Sequence, residues 1–264
     1  MMKNKKLGIY IHIPFCARKC NYCDFLSAPE TRETKERYLS LLDREMQLYK
    51  EVVSAREADT LFIGGGTPSF LETDLTDKLL CSVKKWIPSE NLKEFTIECN
   101  PNSVTEEKLN LYKEAGVTRI SLGMQSACDE ELKKLGRLHS VKEFEKTYEL
   151  VRKHGFERVN IDVMAAIPGQ TIESYKHTLE YVVGLSPEHI SSYSLIIEEG
   201  TPFYEKYREN PPVDEDTDRQ MYDLTKEILG RHGYHRYEIS NYAKEGQECI
   251  HNLKYWQGGD YLGL

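Results

Sequence analysis

The residues best equipped for chemistry lie near the start of the chain. Cys16, Cys20 and Cys23 form a C-x3-C-x2-C array inside YIHIPFCARKCNYCDF, directly after a short alternating apolar run. Thiolates are soft ligands that suit zinc or iron–sulfur clusters. A structural zinc site is closed by four ligands, and no fourth Cys or His follows at finger-like spacing. Three thiolates on one small loop can instead hold three irons of a cubane cluster and leave the fourth iron open to a small molecule. A zinc site, or three incidental thiols, are the alternatives to be weighed against that reading.

These cysteines need elements to position them. Residues 8–12 alternate and read as a first strand, with the cysteine loop at its C-terminal end. Tyr38, Leu41, Leu42, Glu45 and Leu48 mark a helix to about residue 50. A strand over 60–63 then runs into Gly64-Gly65-Gly66-Thr67-Pro68. Further on, helix 75–86 and strand 94–99 are expected. Ser103 and Glu106 have capping-box spacing, which predicts a helix from there to Gly116. Strand 119–122, helix 141–153 closed by Gly155, strand 158–164, helix 172–185 and strand 189–195 complete the series. Strands alternating with helices at this spacing imply parallel βαβ units with right-handed crossovers. Eight such units take about 250 residues, and six consume the first 195 here, so the expected fold is α/β, an incomplete (β/α)6 barrel. Residues 1–197 form this barrel. Residues 198–264 are an extension broken by Pro202, Pro211 and Pro212, with a helix over 216–229 and a strand over 234–240.

In parallel α/β folds the chemistry sits at the C-terminal ends of the strands. The second strand ends in GGGTP, whose glycines permit close backbone approach to a ligand, although a triple glycine is more often only a tight turn. Glu98 stands in ECNP on the third strand, Gln125 follows the fourth in LGMQS, and Asp162 belongs to NID on the fifth. A single strand-end carboxylate is ordinary; several polar residues at successive strand ends are not. Gly169 and Gln170 in IPGQT read as loop-shaping, and Met124 and Met164 as core.

Bulk properties set limits. Hydrophobic residues make up 39% and charged residues 30% of the 264 residues, which describes a soluble globular chain. No apolar run nears the ~18 residues of a spanning helix. MMKNKKLGIYIHIPFC has lysines before an apolar stretch but no cleavage site, so its start reads as a tail before the first strand. A net charge of −8 argues against a nucleic-acid partner. Seven cysteines, three of them clustered, suit a reducing cytoplasm and a metal site better than a disulfide framework.

The array and its surroundings, Y-I-H-I-P-F-C and N-Y-C-D-F, resemble the cluster loop of the radical S-adenosylmethionine (SAM) superfamily, specifically its oxygen-independent coproporphyrinogen III oxidase-like branch. The resemblance runs from Tyr10 to Leu262. It implies a 4Fe–4S cluster on Cys16, Cys20 and Cys23. SAM would be contacted by Tyr10, by Gly65, Gly66 and Thr67, and by Glu98, Gln125, Arg137 (in L-G-R-x-H) and Asp162. Arg137 has the planar fork for the SAM carboxylate, and Glu98 and Asp162 are acceptors for its ammonium or hydroxyls. The family's chemistry is a one-electron cleavage of SAM to a 5′-deoxyadenosyl radical.

Two features divide the branch. Decarboxylating members carry a further cysteine where this chain has Phe25, and the C-terminal His251-Asn252-Leu253-Lys254-Tyr255-Trp256 resembles the signature of HemW-type haem chaperones. That implies a protein that holds haem and passes it to target haem proteins, with His251 as candidate axial ligand and Tyr255 and Trp256 against the porphyrin. The alternative is a coproporphyrinogen III oxidase. A lone His beside Tyr and Trp is more often a packed structural residue. Cys81, Cys99, Cys128 and Cys249 read as incidental or buried thiols, with Cys249 a second candidate ligand for its closeness to His251. The run Glu198, Glu199, Asp214, Glu215, Asp216 and Asp218 reads as a solvated face. An electron donor, a homodimer, and membrane contact only through targets are further expectations of the resemblance. Family members continue past Y-L-G, so a C-terminal domain is expected to be missing from residues 1–264.

Overall fold

The computed structural model describes residues 6–88 and 90–264; the expected tail at residues 1–5 lies outside them. Six parallel strands alternate with helices, in the order β1 (Gly8–Ile13), α1 (Arg32–Arg56), β2 (Thr60–Gly65), α2 (Thr73–Trp86), β3 (Glu94–Cys99), α3 (Glu106–Ala115), β4 (Arg119–Gln125), α4 (Asp129–Leu135), α5 (Val141–Lys153), β5 (Arg158–Ala165), α6 (Ile172–Leu185) and β6 (His189–Ser194). Residues 198–264 add α7 (Pro202–Tyr207), α8 (Glu215–Arg231), β7 (His235–Arg236), β8 (Asn241–Ala243), α9 (Ile250–Trp256) and β9 (Tyr261–Gly263). Among the described residues nine strands form one sheet in the order β7-β8-β6-β5-β4-β3-β2-β1-β9, with β7 and β9 at its two edges. The expected α/β partial barrel is therefore what the chain builds.

The alternation along each strand has a particular sense. Ile9, Ile11 and Ile13, Leu61 and Ile63, Phe95 and Ile97, Ile120 and Leu122, and Val159, Ile161 and Val163 belong to the buried apolar core with the helices. The intervening positions, such as Thr96 and Glu98, Ser121, Asn160 and Asp162, line an interior cavity. Because successive side chains point to opposite faces, an apolar layer outside binds the helices while a polar layer inside faces the lumen. The same alternation that makes the core makes the site.

Two expectations are corrected here. Ser103 does not cap α3: it lies in a 3₁₀ turn, Pro101–Ser103, and Thr105 accepts the hydrogen bond from Lys108 N. Pro101 starts that turn, so the chain becomes extended again before the helix begins. The strand expected over 234–240 shortens to β7, because Tyr237 N bonds back to Asn241 O and the chain turns into β8, which runs antiparallel to β6. Capping boxes form instead with Ser140 and Glu143 at the start of α5, and with Thr171 and Ser174 at the start of α6. Among the described residues no helix is long and apolar enough to cross a membrane.

Candidate functional site

The cysteine loop leaves β1 and is held from several sides. Cys16 N donates to Ala28 O (3.1 Å) and Ala28 N to Pro14 O (3.1 Å), closing the loop on itself. Arg18 Nη2 reaches Gly136 O at 2.6 Å, and Asn21 Nδ2 reaches Lys134 O at 2.8 Å, so α4 and its C-terminus fix the loop's far side. All three cysteines are free and half-buried. Burial pushes the Cys23 thiol up, and the neighbouring Cys20 and Cys16 add to this against a backbone N–H from Phe25. Binding iron would reverse that electrostatic cost, since a coordinating thiol is deprotonated by the metal it binds. Among the described residues no three His, Cys, Asp or Glu side chains converge on a point suited to one metal ion. Three free thiols on one loop are a donor set whose chemistry suits a 4Fe–4S cluster.

The glycines at the end of β2 and just after it are required sterically. A Cβ on Gly66 would sit 2.8 Å from Phe15 O and 3.0 Å from Cys16 Sγ. Gly65 has φ +114° and donates its N–H to Glu98 Oε2 at 3.1 Å. Thr67 follows, its Oγ1 3.4 Å from Cys16 Sγ. Asn100 links this hydroxyl to the next element: Asn100 Nδ2 donates to Thr67 Oγ1 (3.0 Å), and Asn100 Oδ1 accepts from Arg137 Nη2 (2.5 Å). Arg137 also donates to Gly123 O at 2.7 Å, and its guanidinium lies beside Tyr22 and Cys20. Gln125 adopts φ +71°, a conformation costly for a non-glycine residue, and its Oε1 accepts from Tyr193 Oη at 3.0 Å.

Two carboxylates face one another in the lumen. Burial raises Glu98 to about 8; the charge of Asp162 adds to this, and the Gly65 N–H opposes it. Burial also raises Asp162, to about 6, against hydrogen bonds from Asn160 and Ser191 and the charge of Arg137. Such a pair suits a cationic ligand group, which would restore the ionised form of both.

These residues meet. Cys16, Cys20, Cys23, Gly65, Gly66 and Thr67 line one cavity of about 580 Å³ together with Glu98, Gln125, Arg137 and Asp162. Phe25 and Ile196 stand on its rim, 65% and 66% exposed. Tyr10 faces instead a smaller cavity of about 250 Å³ that shares Glu98 and Asp162 with the first. Its hydroxyl lies 3.0 Å from His12 Nδ1, and its ring stacks on Phe62. Asn100 and Tyr193 join the site without a sequence motif of their own, and Asn160, in the NID of the fifth strand, joins it beside Asp162. Asn100 adjoins Glu98 in ECNP, and Asn160 shares a strand face with Asp162, so period-two spacing was the available signal.

His251 is elsewhere. It sits at the first turn of α9, under the N-terminal ends of the strands and opposite the cysteine mouth. Its Nδ1 is 2.9 Å from Thr60 Oγ1, its Nε2 3.0 Å from Tyr255 Oη, and it is 2% exposed. Burial pushes it down to about 4, with Glu94 opposing and Lys254 assisting. The backbone N–H groups of Ile250 and His251 both donate to Glu94, whose carboxylate is also bridged to Arg119 at 3.1 Å. Cys249 Sγ lies 3.1 Å from the same carboxylate, is buried, and is raised by burial and by Glu94. The candidate axial ligand His251 thus has both ring nitrogens bonded within the protein, in a helix, α9, that closes the lower end of the lumen like a plug. Of the aromatic pair beside it, Tyr255 is held by His251 and Trp256 is 55% exposed. Gln170 is buried and bonds Glu131, confirming a loop-shaping place.

Residues 10–182 match the family model of the Radical SAM superfamily, the class that a cysteine loop at the mouth of an open α/β barrel defines. Heme chaperone HemW of Bacillus subtilis is 39% identical over 260 residues, which cover 97% of this chain and 68% of that protein. Heme chaperone HemW of Escherichia coli is 39% identical over all of this chain and 70% of its own length. Among solved structures, coproporphyrinogen III oxidase (HemN) from Escherichia coli superposes with a TM-score of 0.86 at 22% identity, over 98% of this chain and 63% of that one. The chain belongs to the radical SAM superfamily and, within it, to the HemW heme chaperone family.

Proposed function

We propose that this protein carries haem and delivers it to target haem proteins, using a barrel that binds a 4Fe–4S cluster and SAM. The observation that carries the cofactor reading is the single cavity in which three free thiols meet Gly65-Gly66-Thr67, Glu98, Gln125, Arg137 and Asp162. Its volume lies in the ordinary range for small-molecule sites. Cys16, Cys20 and Cys23 hold the cluster. The Gly65–Thr67 backbone admits the ligand closely, and Glu98 and Asp162 accept from its ammonium or ribose. Arg137 is anchored through Asn100 and Gly123, so its contribution is to fix the Thr67 hydroxyl beside Cys16 as well as to supply positive charge to the mouth. When bound, cluster and SAM together supply one-electron chemistry at the sulfonium; the protein binds, orients and excludes water.

The haem reading rests on family membership and on the HNLKYW motif. It is a haem carrier that the apolar rim residues Phe25 and Ile196 suit, and Phe25 stands where a decarboxylase would carry a further cysteine. Seven free cysteines suit a reducing cytoplasm. Haem titration of the anaerobically reconstituted protein is the test. A saturable Soret band, with transfer to an apo-haem protein, supports the carrier. Carbon dioxide release from coproporphyrinogen III without haem binding supports the oxidase instead and overturns the proposal.

A further inference from the structure

Below the cofactor cavity, the barrel is crossed by a chain of hydrogen bonds that runs from the plug helix to Asp162. Cys249 N–H (3.4 Å) and Asn252 Nδ2 (3.3 Å) both donate to Tyr237 Oη. Tyr237 Oη is 2.7 Å from His189 Nε2, and His189 Nδ1 is 2.6 Å from Asn160 Oδ1. Asn160 Nδ2 then donates to Asp162 Oδ1 at 2.7 Å and to Ser121 Oγ at 2.9 Å. His189 is 3% exposed and Asn160 5% exposed, so both are withdrawn from bulk solvent.

Donor chemistry gives the chain one direction. Backbone and amide N–H groups cannot accept, so the oxygen of Tyr237 accepts from α9 and its own proton is free to go to His189 Nε2. An imidazole that accepts at Nε2 carries its proton at Nδ1, which donates to Asn160 Oδ1. An amide whose oxygen is so occupied must turn its NH2 toward Asp162. Reversing the Asn160 amide would set an oxygen against a carboxylate oxygen and leave His189 facing an NH2.

We infer that His189 and Tyr237 are positioning residues which lock the amide of Asn160, so that Asp162 is held as a hydrogen-bond acceptor toward the cofactor cavity under the control of the plug helix α9. The inference rests on the proposed placement of SAM against Asp162 only in its last step. The other groups that face Asp162 are Glu98 from β3, Arg137 from the segment after α4, and Ser191 and Tyr193 from β6. Burial raises the Asp162 carboxyl, and the hydrogen bonds from Asn160 and Ser191 and the charge of Arg137 oppose that rise, so the Asn160 amide is one of three groups that favour the carboxylate.

The experiment uses Tyr237→Phe and His189→Leu in the full chain, with 13C-labelled aspartate and 15N-labelled histidine. In the wild type, His189 reads as the Nδ1–H tautomer and does not titrate between pH 5.5 and 8. In Tyr237→Phe that tautomer is lost or mixed, and the Asp162 carboxyl titrates at higher pH. In His189→Leu the upward shift is larger, about one pH unit or tenfold in proton affinity. SAM affinity of the reconstituted proteins, measured against pH by calorimetry, follows the same shift. Unchanged Asp162 titration in Tyr237→Phe, a fold-preserving variant, overturns the lock. A shifted carboxyl titration with unshifted SAM affinity upholds the lock and overturns the placement of SAM at Asp162.

Discussion

Replacing His251 by alanine separates a structural plug from an open ligand. The ring fills a site that is 2% exposed, bonds Thr60 and Tyr255, and packs against Phe62 at 5.4 Å between centroids. Leaving the buried Thr60 hydroxyl unpaired costs about 1–3 kcal/mol. The space left by a large buried side chain costs about 2–5 kcal/mol, less where α9 can settle inward. Because these overlap, we expect a loss of about 3–5 kcal/mol from a fold worth roughly 5–15 kcal/mol. For a chain of this size that lowers the melting temperature by roughly 6–20 °C. Circular dichroism melts and urea titrations of the metal-free protein read it directly. Tyr255→Phe is the control: it removes one half-exposed partner and costs about 1 kcal/mol. A His251→Ala protein that melts with the wild type would refute the plug. A large stability loss means that any haem lost in this variant cannot by itself be read as loss of an axial bond.

Three further outcomes follow from the site. Glu98→Gln gains stability relative to the wild type as pH climbs. The native carboxyl keeps its proton to about 8 while the unfolded chain releases it near 4.3, so wild-type stability falls across that window and the amide's does not; urea midpoints at pH 5 and 8 check this. His139 and His251 act in the opposite sense. Both are held near 4, so unfolding takes up protons below about pH 6.5 and stability falls toward pH 4; His139→Gln flattens its share of that fall. Gly66→Ala forces a methyl to within 2.8 Å of Phe15 O, with an expected cost of about 1–3 kcal/mol and a fall in iron retained after reconstitution, read by iron assay beside a urea melt.

How much of this was legible in sequence depended on the range of the interactions. Cys16, Cys20 and Cys23 declare themselves because ligation by a loop is local, and Gly65-Gly66-Thr67 because glycine marks close approach. The six βα units are regular enough for periodicity to place them. Failures had two sources, a local turn that displaced a cap and partners distant in the chain. Thr105 rather than Ser103 caps α3 because of the turn that Pro101 begins. Helix α9 spans seven residues, too few for a periodic signal, and its place under the barrel depends on Glu94 and Arg119 more than a hundred residues away. His251 was chosen for its chemistry, whereas its burial is fixed by Thr60 and Tyr255. The Asn160–His189–Tyr237 chain joins residues with no common motif; only their spacing on the inward faces of β5 and β6 hints at it.

The most direct test of the central claim is iron content and the electron paramagnetic resonance of the reduced, anaerobically reconstituted protein, with and without SAM. About four irons per chain are expected, with a signal that changes when SAM is added and disappears when Cys16, Cys20 and Cys23 are replaced by serine. Stoichiometric zinc in place of iron, or iron retained in the triple serine variant, would contradict the account.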